Sequence, residues 1–342
     1  MGILATENPV VRAAETAAES SSWQAELRAS VRSGAELCRR LGLPESLAAG
    51  AGERQFPVFV PPAYLARIRP GDASDPLLLQ VLPVASEAES AEGFSTDPVG
   101  DGPAELTPGV LQKYRGRALL VASGVCPVHC RYCFRRHFPY EESPVGGLGW
   151  SEALRAVERD PSITEVILSG GDPLMLADER LRDLVGQIES IEHVRRLRLH
   201  SRMPVVAPSR VTEALVDLLR GTRLSAAVVL HSNHARELDA GVALATERLR
   251  LTGAALLNQA VLLRGVNDSV DTLAALSERL FEIGVLPYYL HQLDRVAGAQ
   301  HFEVSVSKGM ELTAGLRRRL PGYLVPRYVR ETAGEPSKTV LA

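Results

Sequence analysis

The chain has 342 residues, of which 45% are hydrophobic and 23% charged, and its formal net charge is −3. These values are typical of a globular protein with a large core, and a slightly negative charge gives no basis for non-specific binding to nucleic acid or acidic membranes. No apolar run approaches the roughly 18–20 residues that span a bilayer. The N-terminal sequence also lacks the basic and apolar parts of a secretory signal. We therefore expect a cytoplasmic protein.

The N-terminal third is predicted to be an accessory region. Apolar residues recur at helical spacing over residues 23–41, which predicts a helix. Cys38 lies within this pattern and is expected to be a buried, inert thiol. Residues 56–101 are rich in Pro, Gly, Ser and acidic residues and contain no motif typical of catalysis. We expect residues 1–105 to form a mixed, largely helical extension that wraps the main body or binds a partner.

Beyond this region, short apolar strands alternate with amphipathic helices. The predicted strands begin at or near residues 117, 165, 195, 225, 254 and 285. Six strands, each followed by helical sequence, indicate an α/β fold with a parallel sheet and right-handed crossovers. Active sites in such folds lie at the carboxyl ends of the strands. The polar residues that end or follow each strand are therefore the candidates for function.

Three of the four cysteines, Cys126, Cys130 and Cys133, form a C-x3-C-x2-C pattern directly after the first of these strands. So dense a group is unlike a disulfide framework and indicates metal or cluster ligation. Structural zinc normally takes four protein ligands in two separated pairs. No second cysteine pair exists, although His129 and His137 would allow a zinc site. Three thiolates can hold a [4Fe–4S] cluster and leave one iron open, so the pattern favours a cluster.

The segment CPVHCRYCF resembles the signature of the radical S-adenosylmethionine superfamily. The resemblance implies a partial (β/α)6 barrel and a cluster whose open iron binds the amino and carboxylate groups of S-adenosylmethionine. It also implies that this cofactor contacts the glycine-rich turn SGGDP and polar residues at later strand ends. Each of these residues taken singly is equally compatible with a structural role. They are Gly170, Gly171, Asp172, Ser201, Arg202, His231 and Gln259.

From Leu106 onward the sequence is similar to the lysine 2,3-aminomutase family, in the segments LTPGVLQKYRGRALLVASGVCPVHCRYCFRRHF, SGGDPL and PYYLHQLD. That family uses pyridoxal 5′-phosphate as well as the cluster. The resemblance makes Lys338, in GEPSKTV, the lysine that carries this cofactor, with Lys308 as a competing lysine. The family has consecutive glycines where this chain has GEPS. The residues that the resemblance assigns to the phosphate and ring are Lys113, Tyr114 and Arg117.

The same resemblance implies a site for a diamino acid. Arg135 is expected to receive the substrate carboxylate as a bidentate fork, and the adjacent Arg136 is less suited by position. Asp294 and Glu331 are expected to bind the distal ammonium, and Glu331 stands where the family has aspartate. Two carboxylates there argue against glutamate as the substrate. The implied reaction converts (S)-α-lysine to (R)-β-lysine.

The GEPSKT segment resembles the elongation factor P β-lysylation branch of this family. That implies a functional link to elongation factor P and to the synthetase-like enzyme that attaches β-lysine, with a reductant such as flavodoxin or ferredoxin. The alternatives are a stand-alone aminomutase acting on lysine or another amino acid, and a zinc or Fe–S interaction module that docks through residues 56–105. We expect three parts: residues 1–105, a barrel core over 106–320, and a C-terminal segment over 321–342.

Overall fold

The computed structural model describes residues 23–141 and 150–342. In this part of the chain, ten strands form one sheet in sequence order. They are β1 (Glu105–Thr107), β2 (Val110–Leu111), β3 (Arg117–Ser123), β4 (Glu165–Gly170), β5 (Arg196–Ser201), β6 (Ser225–His231), β7 (Ala255–Val261), β8 (Leu286–His291), β9 (Arg327–Arg330) and β10 (Thr339–Val340). Strands β3 to β9 pair in parallel. The pairs β1–β2, β2–β3 and β9–β10 are antiparallel.

The helices lie mainly between the parallel strands. The accessory region contains α1 (Gly34–Arg40), α2 (Gly50–Gln55), α3 (Pro62–Leu65) and α4 (Pro76–Leu79). The crossovers contain α5 (Trp150–Arg159), α6 (Asp178–Glu189), α7 (Met203–Val206), α8 (Glu213–Gly221), α9 (Ala240–Arg250), α10 (Val270–Glu282) and α11 (Val306–Arg319). Each of the strands β3 to β8 is thus followed by helix, which confirms the predicted partial (β/α)6 barrel.

Burial explains why the strands were visible in the sequence. Strand β4, for example, is buried from Val166 to Gly170, and a strand buried on both faces appears as a continuous apolar run. The helices carry one apolar stripe instead: α6 buries Leu181, Leu184 and Ile188 against the sheet. Strand β9 is a seventh parallel strand that the sequence did not indicate, because RYVR has four residues and only the central two, Tyr328 and Val329, are buried.

The predicted helix over residues 23–41 is wrong in one respect, because it is interrupted. Residues 23–28 are helical, but Val31 then forms an isolated bridge with Val60, and α1 begins only at Gly34. The backbone N–H of Val31 donates to the carbonyl of Val60 at 2.9 Å, and the carbonyl of Val31 accepts from the N–H of Val60 at 3.0 Å. Tertiary pairing therefore overrides the helical pattern locally.

The accessory region and the barrel share one hydrophobic core. Leu37 and Leu77 belong to the same buried cluster as Leu168 and Leu290, so the packing is continuous across residue 105. Cys38 lies in this cluster and is fully buried. None of the helices in the described ranges is both long and apolar enough to cross a membrane.

Candidate active site

One cavity of about 470 Å³ runs through the barrel interior, and every site residue predicted from the sequence lines it. The cysteine loop after β3 and the ends of β4, β5 and β6 form part of its wall, and the C-terminal segment closes another part. The predicted site residues that line the cavity are Cys126, Cys130, Cys133, Lys113, Tyr114, Arg117, Arg135, Gly170, Gly171, Asp172, Ser201, Arg202, His231, Gln259, Asp294, Glu331 and Lys338. The structure brings them together, while their roles toward ligands stay predictions.

The cysteine loop presents three free thiols. The backbone N–H of Cys133 donates to the carbonyl of Cys130 at 3.0 Å, so a turn folds the loop on itself. Arg202 donates to the sulfur of Cys130 at 2.6 Å, a contact suited to a thiolate. Burial raises the pKa of Cys126 well above its usual value and raises that of Cys133 to about 11. Thiolate at these positions therefore needs bound positive charge, which cluster iron provides.

The geometry around the loop fits a cluster better than a single ion. No three His, Cys, Asp or Glu side chains within residues 23–141 and 150–342 are arranged to hold one metal ion. His129 and His137 contact backbone carbonyls of Pro57 and Ala297 instead. A zinc ion would require its ligands to converge, whereas the thiolates of a cubane cluster each bind a different iron and stand further apart.

Arg131 within the cysteine loop and Arg136 just after it are both held by Glu87 of the accessory region. Glu87 accepts from Arg131 Nε at 2.9 Å and Nη2 at 2.5 Å, and from Arg136 Nη2 at 2.8 Å. Arg131 also donates to the carbonyls of Gly52 and Phe56. Both guanidinium groups and the carboxylate are fully buried. Arg136 is thus occupied as a structural group, and of these two adjacent arginines it is Arg135 that lines the cavity.

A second buried network holds Arg202. Its Nη2 donates to Gln80 at 2.9 Å and to Glu237 at 3.0 Å, and its Nη1 donates to the hydroxyl of Tyr132 at 2.7 Å. The Tyr132 hydroxyl also lies 2.9 Å from His231 Nε2. Both Nη atoms of Arg202 are therefore taken by protein acceptors, one of which is the Cys130 sulfur.

The glycine-rich turn brings the end of β4 beneath the cysteine loop. A Cβ on Gly170 would lie 2.5 Å from the Ser123 carbonyl oxygen, and one on Gly171 would lie 2.4 Å from that of Val125, so only glycine fits. The Asp172 carboxylate accepts from the Ser201 hydroxyl at 2.8 Å and from the backbone N–H of Arg202 at 2.7 Å. Burial raises the pKa of Asp172 to about 6 despite these bonds. The Asp172 and Ser201 side chains are thus bonded to each other.

Lys338 lies in the cavity wall, paired with Glu331. Glu331 also accepts from the Tyr114 hydroxyl at 2.6 Å. Burial opposes ionisation of Glu331, but Lys338 and Tyr114 hold its pKa below its usual value. Glu331, predicted to bind a substrate ammonium, therefore pairs instead with Lys338, the residue predicted to carry pyridoxal 5′-phosphate. Lys308 lies on α11, half exposed and paired with Glu311, away from the cavity.

The two remaining predicted substrate contacts differ in their partners. Arg135 donates from Nε to Asp101 at 2.6 Å and from Nη1 to Ser169 at 3.3 Å. The Asp294 carboxylate has no hydrogen-bond or ion-pair partner in the described part of the chain. Burial raises the pKa of Asp294 to about 7, with Lys338 opposing the shift and Glu331 adding to it. A bound cation is what would keep Asp294 charged.

Sequence reasoning missed two cavity histidines, His200 on β5 and His291 on β8. The Nε2 atom of each is buried without a partner in the described residues. Burial lowers the pKa of His200 far below its usual value, and burial and Lys338 lower that of His291 to about 3, so both rings are neutral. Alternate side chains in a strand lie on the same face, so His200 shares a face with Arg198, and His291 with Tyr289. This alternation was the signal in the sequence that could have located the two histidines.

Comparisons with known proteins give three kinds of match. A family model described as a 4Fe-4S single cluster domain matches residues 115–198. The L-lysine 2,3-aminomutase of Haemophilus influenzae is 45% identical over 98% of this chain and 98% of its own length. That of Escherichia coli is 47% identical over 93% and 94%, and that of Clostridium subterminale 34% identical over 94% and 78%. A radical SAM methyltransferase from Sphaerobacter thermophilus is 21% identical over 66% of this chain and 71% of that chain, with a TM-score of 0.44.

Proposed function

The chain belongs to the L-lysine 2,3-aminomutase family, and from that premise we propose that it converts (S)-α-lysine to (R)-β-lysine in the barrel cavity. The cofactors expected from the sequence, a [4Fe–4S] cluster, S-adenosylmethionine and pyridoxal 5′-phosphate, are those of this family. The reaction is an isomerisation: the amino group moves from the α-carbon to the β-carbon, one hydrogen moves the opposite way, and nothing is consumed.

The support for this proposal is the shared cavity itself. A single space of about 470 Å³ is lined by three thiols, the Lys338 amine, the Arg135 guanidinium and the unpaired Asp294 carboxylate. A guanidinium matches the α-carboxylate of an amino acid, and a carboxylate matches a distal ammonium. A zinc or Fe–S interaction module has no use for a lysine and a free carboxylate in the same cavity as the cysteines.

The chain's own residues hold and orient the reacting groups. Cys126, Cys130 and Cys133 would hold the cluster, and Lys338 would hold pyridoxal 5′-phosphate near Tyr114 and Arg117, whose guanidinium lies 4.9 Å from the Tyr114 ring centroid. When bound, these groups supply a hydrogen-abstracting radical and a conjugated system through which an amino group can move.

Glu331 accepts hydrogen bonds from both the Lys338 amine and the Tyr114 hydroxyl. This pairing holds the Lys338 amine in the cavity wall beside the Tyr114 hydroxyl. Arg135 orients the substrate carboxylate, and Asp294 binds the distal ammonium of the substrate.

The proposal is tested by anaerobic incubation of reconstituted protein with lysine, S-adenosylmethionine and a reductant, followed by chiral analysis of the product. We expect β-lysine from the wild type and from Lys308→Ala, whose lysine is exposed. We expect at least a thousandfold loss in Lys338→Ala, together with loss of the absorbance band of bound pyridoxal 5′-phosphate. β-Lysine formed by Lys338→Ala at the wild-type rate would contradict the proposed role of Lys338.

We also infer that the β-lysine formed is destined for elongation factor P through a synthetase-like partner, with flavodoxin or ferredoxin as reductant. The support is the resemblance of the GEPSKT segment, which includes Lys338, to the elongation factor P β-lysylation branch. Deletion of the gene should leave elongation factor P without β-lysine, measurable by intact-protein mass spectrometry. Restoration by the wild-type chain but not by Lys338→Ala is the expected control.

A further inference from the structure

We propose that Asp101 is the positioning residue for recognition of the substrate α-carboxylate, acting through Arg135. The proposal rests on the proposed function, since it concerns the same cavity. Asp101 lies in the accessory region, upstream of the motifs from which the candidate site residues were predicted, and is only 3% exposed.

The Asp101 carboxylate bridges two cavity cations. One oxygen accepts from Arg135 Nε at 2.6 Å, and the other lies 2.7 Å from Lys113 Nζ. Lys113 also donates to the Val99 carbonyl at 2.8 Å and lies 3.9 Å from Glu331, which in turn pairs with Lys338. Charges therefore alternate without interruption along the series Arg135, Asp101, Lys113, Glu331 and Lys338.

The backbone around Asp101 is fixed on both sides. The Asp97 carboxylate accepts from the backbone N–H groups of Asp101 at 2.9 Å and Gly102 at 3.1 Å. Gly100 has a φ of +66°, and a Cβ there would lie 2.9 Å from the Ala333 side chain, in the loop that joins Glu331 to Lys338. The segment thus touches the C-terminal loop while it carries the carboxylate to Arg135.

This arrangement fixes the plane of the Arg135 guanidinium. Asp101 accepts from Nε at 2.6 Å and from Nη2 at 3.5 Å, and Ser169 accepts from Nη1. One hydrogen on each Nη atom is thus left for a carboxylate in the cavity. Without Asp101, the Arg135 and Lys113 cations would be buried close together with no shared anion, and their repulsion would turn Arg135 away from that orientation.

The test compares two ligands that differ only in the carboxylate, lysine and 1,5-diaminopentane, on reconstituted enzyme. In Asp101→Asn we expect the KM for lysine to rise about 10- to 100-fold, the range for a lost charge-assisted bond, with a smaller change in kcat. The inhibition constant of 1,5-diaminopentane should stay within about twofold, because that ligand has no carboxylate for Arg135 to bind.

Glu105→Gln is the matched control, because it removes one charge from an exposed position of the same segment; its constants should equal those of the wild type. If Asp101→Asn does not retain iron, Asp101→Glu, which keeps the charge but displaces it, should show the same selective loss of lysine. An equal weakening of both ligands, an unchanged or lowered KM for lysine, or loss of iron in both variants would overturn the proposal. Failure of the wild type to form β-lysine would instead overturn the proposed function.

Discussion

The barrel and the accessory region hold their polar groups around the cavity in opposite ways. In the barrel, Asp294 has no partner within the described residues, and the Nε2 atoms of His200 and His291 are unpaired. In the accessory region, Glu87 has three donors from two arginines, and Gln80 bonds through both its side-chain oxygen and its nitrogen. Groups without protein partners are those left available to a ligand, whereas fully paired groups hold the others in place.

This difference teaches that a site motif and its support come from different parts of the chain. The sequence of residues 56–101 contains nothing typical of catalysis, yet Gln80, Glu87 and Asp101 all bond to residues that line the cavity or flank the cysteines. A region can thus determine the geometry of a site without contributing a recognisable motif.

The largest expected effect comes from breaking the accessory clamp. Glu87→Ala would leave Arg131 and Arg136 as buried cations without their anion, which costs about 3–5 kcal/mol. We expect a lower free energy of unfolding by that amount and loss of iron from the purified protein, measured by denaturant titration and iron analysis. Glu89→Gln, at an exposed position two residues on, is the control. Full iron content in Glu87→Ala would show that the clamp does not support the loop.

A smaller effect is expected where the two regions meet at Arg202. Arg202→Lys keeps the charge but cannot contact Cys130, Tyr132, Gln80 and Glu237 together, which should cost about 1.5–3 kcal/mol. We expect roughly a tenfold or greater loss of β-lysine formation at that cost, with partial cluster occupancy seen by electron paramagnetic resonance. Wild-type activity and cluster content in Arg202→Lys would show that these contacts of Arg202 are not needed for activity.

Because the Asp294 carboxylate is unpaired in the described residues, it should make the affinity for lysine depend on pH. With the pKa of Asp294 raised to about 7, the carboxyl is neutral below pH 7 and charged above it. Affinity for the lysine ammonium should therefore fall about tenfold from pH 8 to pH 6, following the charged fraction. KM for lysine measured across that range checks this. Asp294→Asn should bind lysine weakly and without this pH dependence; a profile identical to the wild type would contradict the assignment.

The smallest effect is expected for an exposed ion pair on the surface of the accessory region. Arg39 and Glu45 form a 3.0 Å ion pair in the accessory region, but both side chains are more than half exposed. Arg39→Ala should change the free energy of unfolding by less than about 0.5 kcal/mol and leave activity unchanged. A larger loss on denaturant titration would mean that pairing at the surface contributes as it does around Glu87.

The sequence by itself determined the chemistry. The informative patterns are local: the spacing of Cys126, Cys130 and Cys133, the apolar runs of six strands and the GEPSKT segment. Such patterns can be recognised from the sequence because their residues lie close together along the chain. They placed the barrel, the cysteine loop and the family, and all the residues chosen from them line one cavity.

Only the tertiary structure decided which charges are paired. Glu331 meets Lys338 and Tyr114, Arg136 is taken by Glu87, and Asp101 joins Arg135 to Lys113 across the boundary expected at residue 105. These pairs join residues up to 217 positions apart. The free energy of a charged group depends on how it is buried and on what lies within a few ångströms of it. No sequence pattern encodes that proximity. Only the folded chain therefore shows which polar groups are unpaired and available to a ligand, and which are paired within the protein.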